Sequence, residues 1–430
     1  MHKSVAFHNL GCKVNSYETE KMMKELAENG YSIVPFDQKA DIYIVNTCSV
    51  TNIADRKSRQ MLHRAKALNP SAVIVAAGCY VDTRGEKDVA DEGVDICVRN
   101  DQKKDIVPIL EEYFADKEDG SGCTEAVSFE TADFHTRRFI KVQDGCDMFC
   151  SYCIIPFARG RIASRTVEDV ISETKEYVRM GYREFVPTGI HISSFGKDRP
   201  DDGEGLIDLV RAMSEVDGVE RIRLSSLEPG IVTESFAEEL LNIRQLCPHF
   251  HLSLQSGSDT VLKRMNRHYT TDGYMKAVEI LRDCFDDPAI TTDIITGFPG
   301  ETEEEFRSTL DFVERVGFYE THVFKYSRRK GTAADRMPGQ ITERVKHERS
   351  RILLELDELQ RKRFEDRRIE NRRVAEVLLE DTEEIDGRSV RTGYTRDYIK
   401  VYDPEDGSRA GEIVCGTLER AGDRIIIRRQ

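Results

Sequence analysis

No stretch of this 430-residue chain is apolar over the length needed to span a bilayer, and residues 1–10 have neither a basic leader nor a signal-type apolar run. A cytoplasmic protein without a membrane partner is therefore expected. Basic charge is scarce as well: 63 Lys and Arg stand against 78 Asp and Glu, a net charge of −15. That excludes a general nucleic-acid coat, because neutralising phosphates needs an excess of cations, and any nucleic-acid contact must be local. Internal repeats at solenoid periods and low-complexity tracts are absent, which sets aside repeat arrays and disordered chains. What is present is ample core material, 39% hydrophobic residues, in a chain long enough for two to four domains at about 100–200 residues each.

The first third alternates strand-like runs (4–7, 41–45, 72–76, 94–98) with helical segments (15–29, 52–68, 84–92, 102–114). Strand alternating with helix predicts an α/β, doubly wound parallel sheet over 1–114. Asn15 with Glu18 three residues on predicts a capping box for the first helix, and Gly30 its stop. Periodicity is then lost in a polar, acidic linker, 115–131. A second series follows, with strands at 139–142, 184–187, 221–225, 250–254, 290–295 and 322–326 and helices at 166–180, 205–216, 233–243, 271–285 and 303–316. Six βα units predict a partial (βα)6 TIM-like barrel, here bounded as 132–364, whose functional residues follow the strand C-termini. Between Thr321 and Arg373, 16 Lys and Arg outnumber 9 Asp and Glu, mostly on a predicted helix over 342–370. Five short strands after Val374 predict a small OB-like β-barrel, bounded as 365–430.

Eleven cysteines in a chain without a secretory signal read as reduced thiols for metal or catalysis. Cys146, Cys150 and Cys153 sit just after the first barrel strand, with Tyr152 before the last. Three thiolates in so short a loop hold three irons of a [4Fe–4S] cube and leave the fourth iron open, whereas structural zinc wants a fourth ligand that is not nearby. Later strand ends carry Gly189, Ser226, Glu228, Gln255 and, with the fifth strand, Asp293. Glycine admits close backbone approach to a nucleoside, and the others offer polar atoms to it. Arg159, Arg161 and Arg165 lie just beyond the cysteine loop and suit a carboxylate or phosphate as well as surface ion pairs. Cys12, Cys48 and Cys79 each follow a strand of the first domain, and residues beyond neighbouring parallel strands converge on one crevice, so a second [4Fe–4S] cluster is expected there. Cys97, Cys123, Cys247, Cys284 and Cys415 read as small buried hydrophobes.

The spacing C-x3-C-x2-C resembles the signature of the radical S-adenosylmethionine superfamily, in which S-adenosylmethionine chelates the open iron and its reduction releases a 5′-deoxyadenosyl radical. Taken in order, Gly189, Ser226, Glu228, Gln255 and Asp293 resemble that superfamily's cofactor-binding positions. Two three-cysteine sets followed by a small β-barrel resemble the methylthiotransferases over essentially the whole chain. Gly11-Cys12-Lys13-Val14-Asn15, Thr188-Gly189-Ile190-His191, and Phe324-Lys325-Tyr326-Ser327 before Arg328-Arg329-Lys330-Gly331-Thr332 look most like the branch acting on N6-threonylcarbamoyladenosine at position 37 of tRNA. The resemblance implies two [4Fe–4S] clusters, two molecules of S-adenosylmethionine per turnover, and an electron donor of flavodoxin or ferredoxin type. It also implies that the small barrel is a TRAM-like RNA-binding domain receiving the tRNA anticodon arm.

The basic helix and Tyr394, Arg396, Tyr398, Lys400 and Tyr402 offer charge and stacking surfaces for that arm, or equally a solvated helix face and a half-buried sheet. The alternative acceptors are isopentenyladenosine-37 or a ribosomal protein. A further alternative, an iron–sulfur carrier or scaffold, leaves the strand-end polar residues without a role.

Overall fold

The strands Ile42–Thr47 (IYIVNT) and Val73–Gly78 (VIVAAG) are buried along their whole length, as strands covered on both faces must be. They are β3 and β4 of a parallel sheet that also holds β1 (Ser4–Asn9), β2 (Ser32–Val34) and β5 (Ile96–Val98) in the order β2-β1-β3-β4-β5. The reversal of strand order between β1 and β3 is a switch point, where a crevice opens beyond the strand C-termini. The computed structural model from which this is seen describes residues 3–115, 136–385, 387–405 and 407–429; apart from Ala115, the expected linker lies outside the described residues.

Local differences from the sequence pattern have tertiary causes. Helix α1 (Lys13–Glu28) starts before Asn15, with Cys12 as its N-cap and no side-chain cap bond. Asn15 and Glu18 are buried: the Asn15 amide donates to Leu10 O (2.6 Å) and Thr47 O (3.0 Å), and Glu18 pairs with Lys103 (2.6 Å), so no capping box forms. Strand β2, three residues long, is too short to show a period. After α2 (Asn52–Leu68), the helix expected over 84–92 is instead α3 (Cys79–Arg84) and α4 (Glu86–Ala90), broken at Gly85. A 3-10 turn (Asn100–Asp105) then leads into α5 (Ile106–Ala115).

Six further parallel strands follow in chain order: β6 (Arg137–Lys141), β9 (Glu184–Thr188), β10 (Arg221–Ile222), β11 (His249–His251), β12 (Ala289–Thr296) and β13 (Glu320–Lys325). Two-residue strands β7 (Gln143–Asp144) and β8 (Ala163–Ser164) flank the cysteine loop, which contains α6 (Ile155–Arg159). The ladders β6-β9-β10 and β11-β12-β13 are joined by parallel bridges Ile222–Leu246 and Leu227–Leu252, giving the partial six-stranded barrel. Helices α7 (Val167–Arg179), α8 (Leu206–Ser214), α9 (Glu234–Leu241), α11 (Thr271–Cys284) and α12 (Glu303–Val316) bury their apolar stripes against it. Thr166, Thr233, Thr270 and Thr302 each accept a backbone N–H three residues on as N-caps, each contributing about 1 kcal/mol. The short α10 (Asp259–Arg264) was not legible in the pattern.

Helix α13 (Glu343–Glu370) packs one face as a strap and leaves Arg344, Arg351, Lys362 and Arg363 exposed on the other. Arg349 pairs with Glu301 (2.6 Å), Gln360 donates to Val313 O (2.9 Å), and Asp357 accepts the Thr321 N–H (2.5 Å). It leads to a closed barrel of β14 (Ala375–Ile385), β15 (Arg388–Thr395), β16 (Lys400–Asp403), β17 (Ile413–Ala421) and β18 (Arg424–Arg429), ordered β14-β15-β16-β18-β17. Arg221 and Arg223, both buried on β10 and just after it, donate to Tyr394 O, Glu376 O and Arg396 O of this barrel. Tyr394 and Tyr398 stack at 4.8 Å with the Arg137 guanidinium 4.7 and 4.9 Å from their rings, and Arg396 donates to Leu246 O. These three side chains therefore seat one barrel on the other, while Lys400 and Tyr402 reach Glu383.

The chain divides into two compact units. One comprises 1–132, 144–162 and 327–335, the other 133–143, 163–326 and 336–430. Among the described residues no helix is long and apolar enough to cross a membrane.

Candidate functional site

The C-termini of β1, β3 and β4 bring Cys12, Cys48 and Cys79 together. Gly11, at φ +110°, lets the β1 turn close onto the next: a Cβ there would lie 2.9 Å from Cys48 Cβ and 3.1 Å from its Sγ. Cys48 is buried, its carbonyl accepting from the Ser58 hydroxyl (3.1 Å). Burial pushes its thiol up to about 11, against the Val50 N–H, and the neighbouring Cys79 and Cys12 add to the rise. Three thiols at neighbouring strand ends are a donor set whose chemistry fits a metal cluster.

The second triad sits in the loop after β6. Its neck is closed by the Cys146 N–H donating to Gly160 O (3.1 Å). Inside it, the Met148 N–H donates to Cys146 Sγ (3.5 Å) and the Cys153 N–H to Cys150 O (2.9 Å), so backbone groups help to set the loop. Phe149, at φ +47°, carries Arg161 4.8 Å above its ring, and Tyr152 is half-buried.

Both triads belong to the same compact unit. Asn100 is a direct link: its Nδ2 donates to Cys79 Sγ (3.4 Å), Asp82 Oδ2 (2.7 Å) and Ala158 O (3.1 Å), joining the first thiol set to helix α6 of the cysteine loop. Beside it, Arg159 donates to Asn15 Oδ1 (2.6 Å), Glu18 Oε1 (2.9 Å) and Asp144 (3.1 Å), while Lys103 meets the same Glu18. Burial lowers the Lys103 ammonium, opposed chiefly by the Glu18 carboxylate. Arg159 is thus a structural clamp, not an anion ligand. Arg165 pairs with Glu173 (2.5 Å), whereas Arg161 pairs with Asp147 at the surface (3.2 Å) with 72% of its side chain exposed.

Sequence reasoning missed Asn100, Lys103 and Arg329. Buried Arg329 donates to Asp55 (3.0 Å) and Ser49 (2.7 Å), and the Ala334 N–H to Ser151 O (2.7 Å), which ties 327–335 to both thiol-bearing segments. The only prior signal for Arg329 was its place in a quoted motif. Of the cysteines read as buried hydrophobes, Cys247 is buried, Cys97 and Cys284 are half-buried, Cys415 is exposed, and Cys123 lies outside the described residues.

In the second unit, Gly189 directly follows β9 and leaves no room for a Cβ, which would lie 2.8 Å from Gln143 Oε1; that oxygen accepts the His191 N–H (2.8 Å). Ser226 is exposed past β10. Glu228, raised by burial against the pull of Arg267, accepts from Arg267 Nη2 (2.5 Å). Gln255, at φ +68°, donates its N–H to Asp293 O (2.8 Å) and accepts from Ile295 N (2.9 Å). Asp293 lies inside β12, its carboxylate 3.3 Å from His251 Nε2. Gly189, Ser226, Glu228 and Gln255 are strand-end polar or backbone groups suited to a nucleoside, while the carboxylates of Glu228 and Asp293 each face a basic side chain, Arg267 and His251. The three-thiol sets and this row fit iron–sulfur and nucleoside cofactors.

Residues 140–313 match the radical SAM superfamily, and residues 4–99 match an uncharacterised protein family, UPF0004. Threonylcarbamoyladenosine tRNA methylthiotransferase MtaB of Bacillus subtilis (strain 168) is 39% identical over 97% of this chain and 94% of its own. The tRNA-2-methylthio-N(6)-dimethylallyladenosine synthase of Thermoanaerobacter sp. (strain X514) is 34% identical over 96% and 89%. Among solved structures, the radical S-adenosylmethionine methyltransferase TsrM from Kitasatospora setae superposes with a TM-score of 0.56 at 17% identity, covering 78% of this chain and 77% of that one.

Proposed function

We propose that this chain, which belongs to the methylthiotransferase family of radical S-adenosylmethionine enzymes, transfers a methylthio group to carbon 2 of N6-threonylcarbamoyladenosine at position 37 of tRNA. The observation that carries the reading is the presence of two cysteine triads in one compact unit, linked through Asn100. Cys146, Cys150 and Cys153 are assigned one [4Fe–4S] cluster, and Cys12, Cys48 and Cys79 a second. With S-adenosylmethionine, the first supplies a one-electron cleavage and thereby an oxidant for an unactivated carbon, two molecules being used per turnover.

The chain's own residues hold these groups in place. Asn100 Nδ2–H lowers the charge density on Cys79 Sγ. Arg159, Glu18, Asp144 and Lys103 lock the segment after the cysteine loop, so that a loop built of single thiols keeps its shape. Tyr152, Gly189, Ser226, Glu228 and Gln255 are assigned to S-adenosylmethionine, and the Asp293 carboxylate, expected in the same row, faces His251 Nε2 at 3.3 Å. The stretches 1–114, 132–364 and 365–430 are assigned the auxiliary cluster, the radical chemistry and RNA binding, with 115–131 as linker. The anticodon arm as the tRNA contact, a flavodoxin- or ferredoxin-type donor and a cytoplasmic location belong to the same proposal.

The test is nucleoside mass spectrometry of tRNA lacking the modification, after anaerobic incubation with cluster-reconstituted protein, reductant, sulfide and S-adenosylmethionine. The expected result is conversion of threonylcarbamoyladenosine to its 2-methylthio form. Conversion of isopentenyladenosine instead would transfer the acceptor to the second reading, and release of 5′-deoxyadenosine with neither product would overturn both tRNA acceptors.

A further inference from the structure

Three neighbouring strands of the central barrel carry a cluster of two imidazoles and a carboxylate, His251, Asp293 and His322. In the parallel ladders β11-β12-β13, His251 is in register with Thr291, and Asp293 with His322. Side chains alternate along a strand, so Thr291 and Asp293 share a face opposite to Ile290 and Ile294. Those two isoleucines belong to the apolar core. His251, Asp293 and His322 therefore project together from the other face, and one ligand atom from each lies within 4.8 Å of the other two.

The cluster has the supports of a built site. His251 Nδ1 is 3.0 Å from Thr291 Oγ1, which fixes the ring and turns Nε2 toward the carboxylate, 3.3 Å from Asp293 Oδ2. That nitrogen is buried and makes no hydrogen bond. The His251 and His322 rings are nearly parallel, 19° apart with centroids at 5.6 Å, and Glu320 Oε1 lies 3.9 Å from His322 Nδ1. Two imidazoles and one carboxylate are borderline donors: they suit manganese(II), iron(II), cobalt(II) or zinc(II) rather than calcium or magnesium, which take oxygen sets. Three protein ligands leave the rest of the coordination shell to exogenous donors, as sites that act on a ligand do and closed structural sites do not.

We propose that His251, Asp293 and His322 bind one divalent transition-metal ion with coordination positions open to an oxygen ligand. Thr291 orients His251 and is a positioning residue. The site shares no residue with the two thiol triads.

The experiment uses the cluster-loaded protein under anaerobic conditions, titrated with manganese(II) and followed by the loss of the free-ion electron paramagnetic resonance signal, with zinc(II) added afterwards as a competitor. The thiols are occupied, and manganese(II) has little affinity for them. One manganese(II) per chain, displaced by zinc(II), is expected. Asp293→Asn and His322→Ala are each expected to weaken binding more than about 10-fold, and Thr291→Val by about 10- to 100-fold, the usual cost of losing a group that orients a ligand. His322, with 43% of its side chain exposed, is the substitution least able to disturb folding, and unchanged iron content and visible spectrum in each variant establish that the fold is kept. Absence of stoichiometric binding of either ion, or binding indifferent to Asp293→Asn and His322→Ala, overturns the site.

Discussion

The closeness of backbone to side chain around the first thiol triad is decided by single residues. Gly78 ends β4 just before Cys79 at φ +94°, ψ −154°, a region that only glycine occupies freely, and a Cβ there would lie 2.9 Å from Asn46 Oδ1 and 3.0 Å from Lys103 Nζ. Gly78→Ala is expected to cost about 1–3 kcal/mol in denaturant unfolding and to lower retained iron, since Cys79 is the next residue. The two triads are separable by substitution. Cys150→Ala should abolish 5′-deoxyadenosine formation, whereas Cys48→Ala should retain uncoupled cleavage of S-adenosylmethionine and yield no methylthiolated nucleoside; chromatography of both products from one reaction checks the pair. Normal nucleoside yield from Cys48→Ala would remove the auxiliary-cluster assignment.

Secondary-structure elements are anchored by charges whose protonation sets a pH window. At the start of α12, Glu305 closes a capping box with Thr302 and pairs with Arg264 (2.7 Å), whose hydrogen bonds hold its carboxyl down to about 2 from an ordinary 4.5. A lowered folded value means that this carboxylate's contribution is complete above the unfolded value of 4.5 and is lost as the pH falls toward about 2. Thermal melts of the wild type and Glu305→Gln should therefore differ at neutral pH and converge as the pH approaches that lower value. Elements were the most legible level in the sequence: α2 and α12 begin and end where the apolar period and the capping residues place them. Where the pattern misplaced an element, a tertiary partner intervened. Asn15 and Glu18 read as a cap because their spacing is a cap's, yet burial made them worth more as partners of Thr47 O and Lys103.

For the molecule as a whole, the C-terminal barrel satisfies charges that the central barrel buries. Arg221 and Arg223 are 1% and 3% exposed, and their guanidinium groups donate to carbonyls of Glu376, Tyr394 and Arg396. A chain ended after Arg373 would remove these carbonyl acceptors and open the seam to water, leaving Glu184, 2.9 Å from Arg223 Nε, as the remaining partner. Such a truncation is expected to yield aggregated protein rather than a folded central barrel, as read by size-exclusion chromatography; a monomeric, cooperatively melting product would show that the barrels fold independently.

The chain alone determined the α/β class and the order of strands and helices, and it singled out six cysteines by their spacing and their places after strands, because hydrophobic period and position along a strand are read locally. The tertiary structure decided what those residues touch. Only the folded chain unites both cysteine triads with residues 327–335 in one unit, turns Arg159 from an anion ligand into a clamp, and takes Tyr394, Arg396 and Tyr398 into a seam between barrels. It also aligns His251, Asp293 and His322, which lie 42 and 29 residues apart, on one sheet face. The physical reason is the same in each case. Register and burial choose partners across long stretches of chain, and the free energy of pairing a buried charge or polar group outweighs the local preference that the sequence displays.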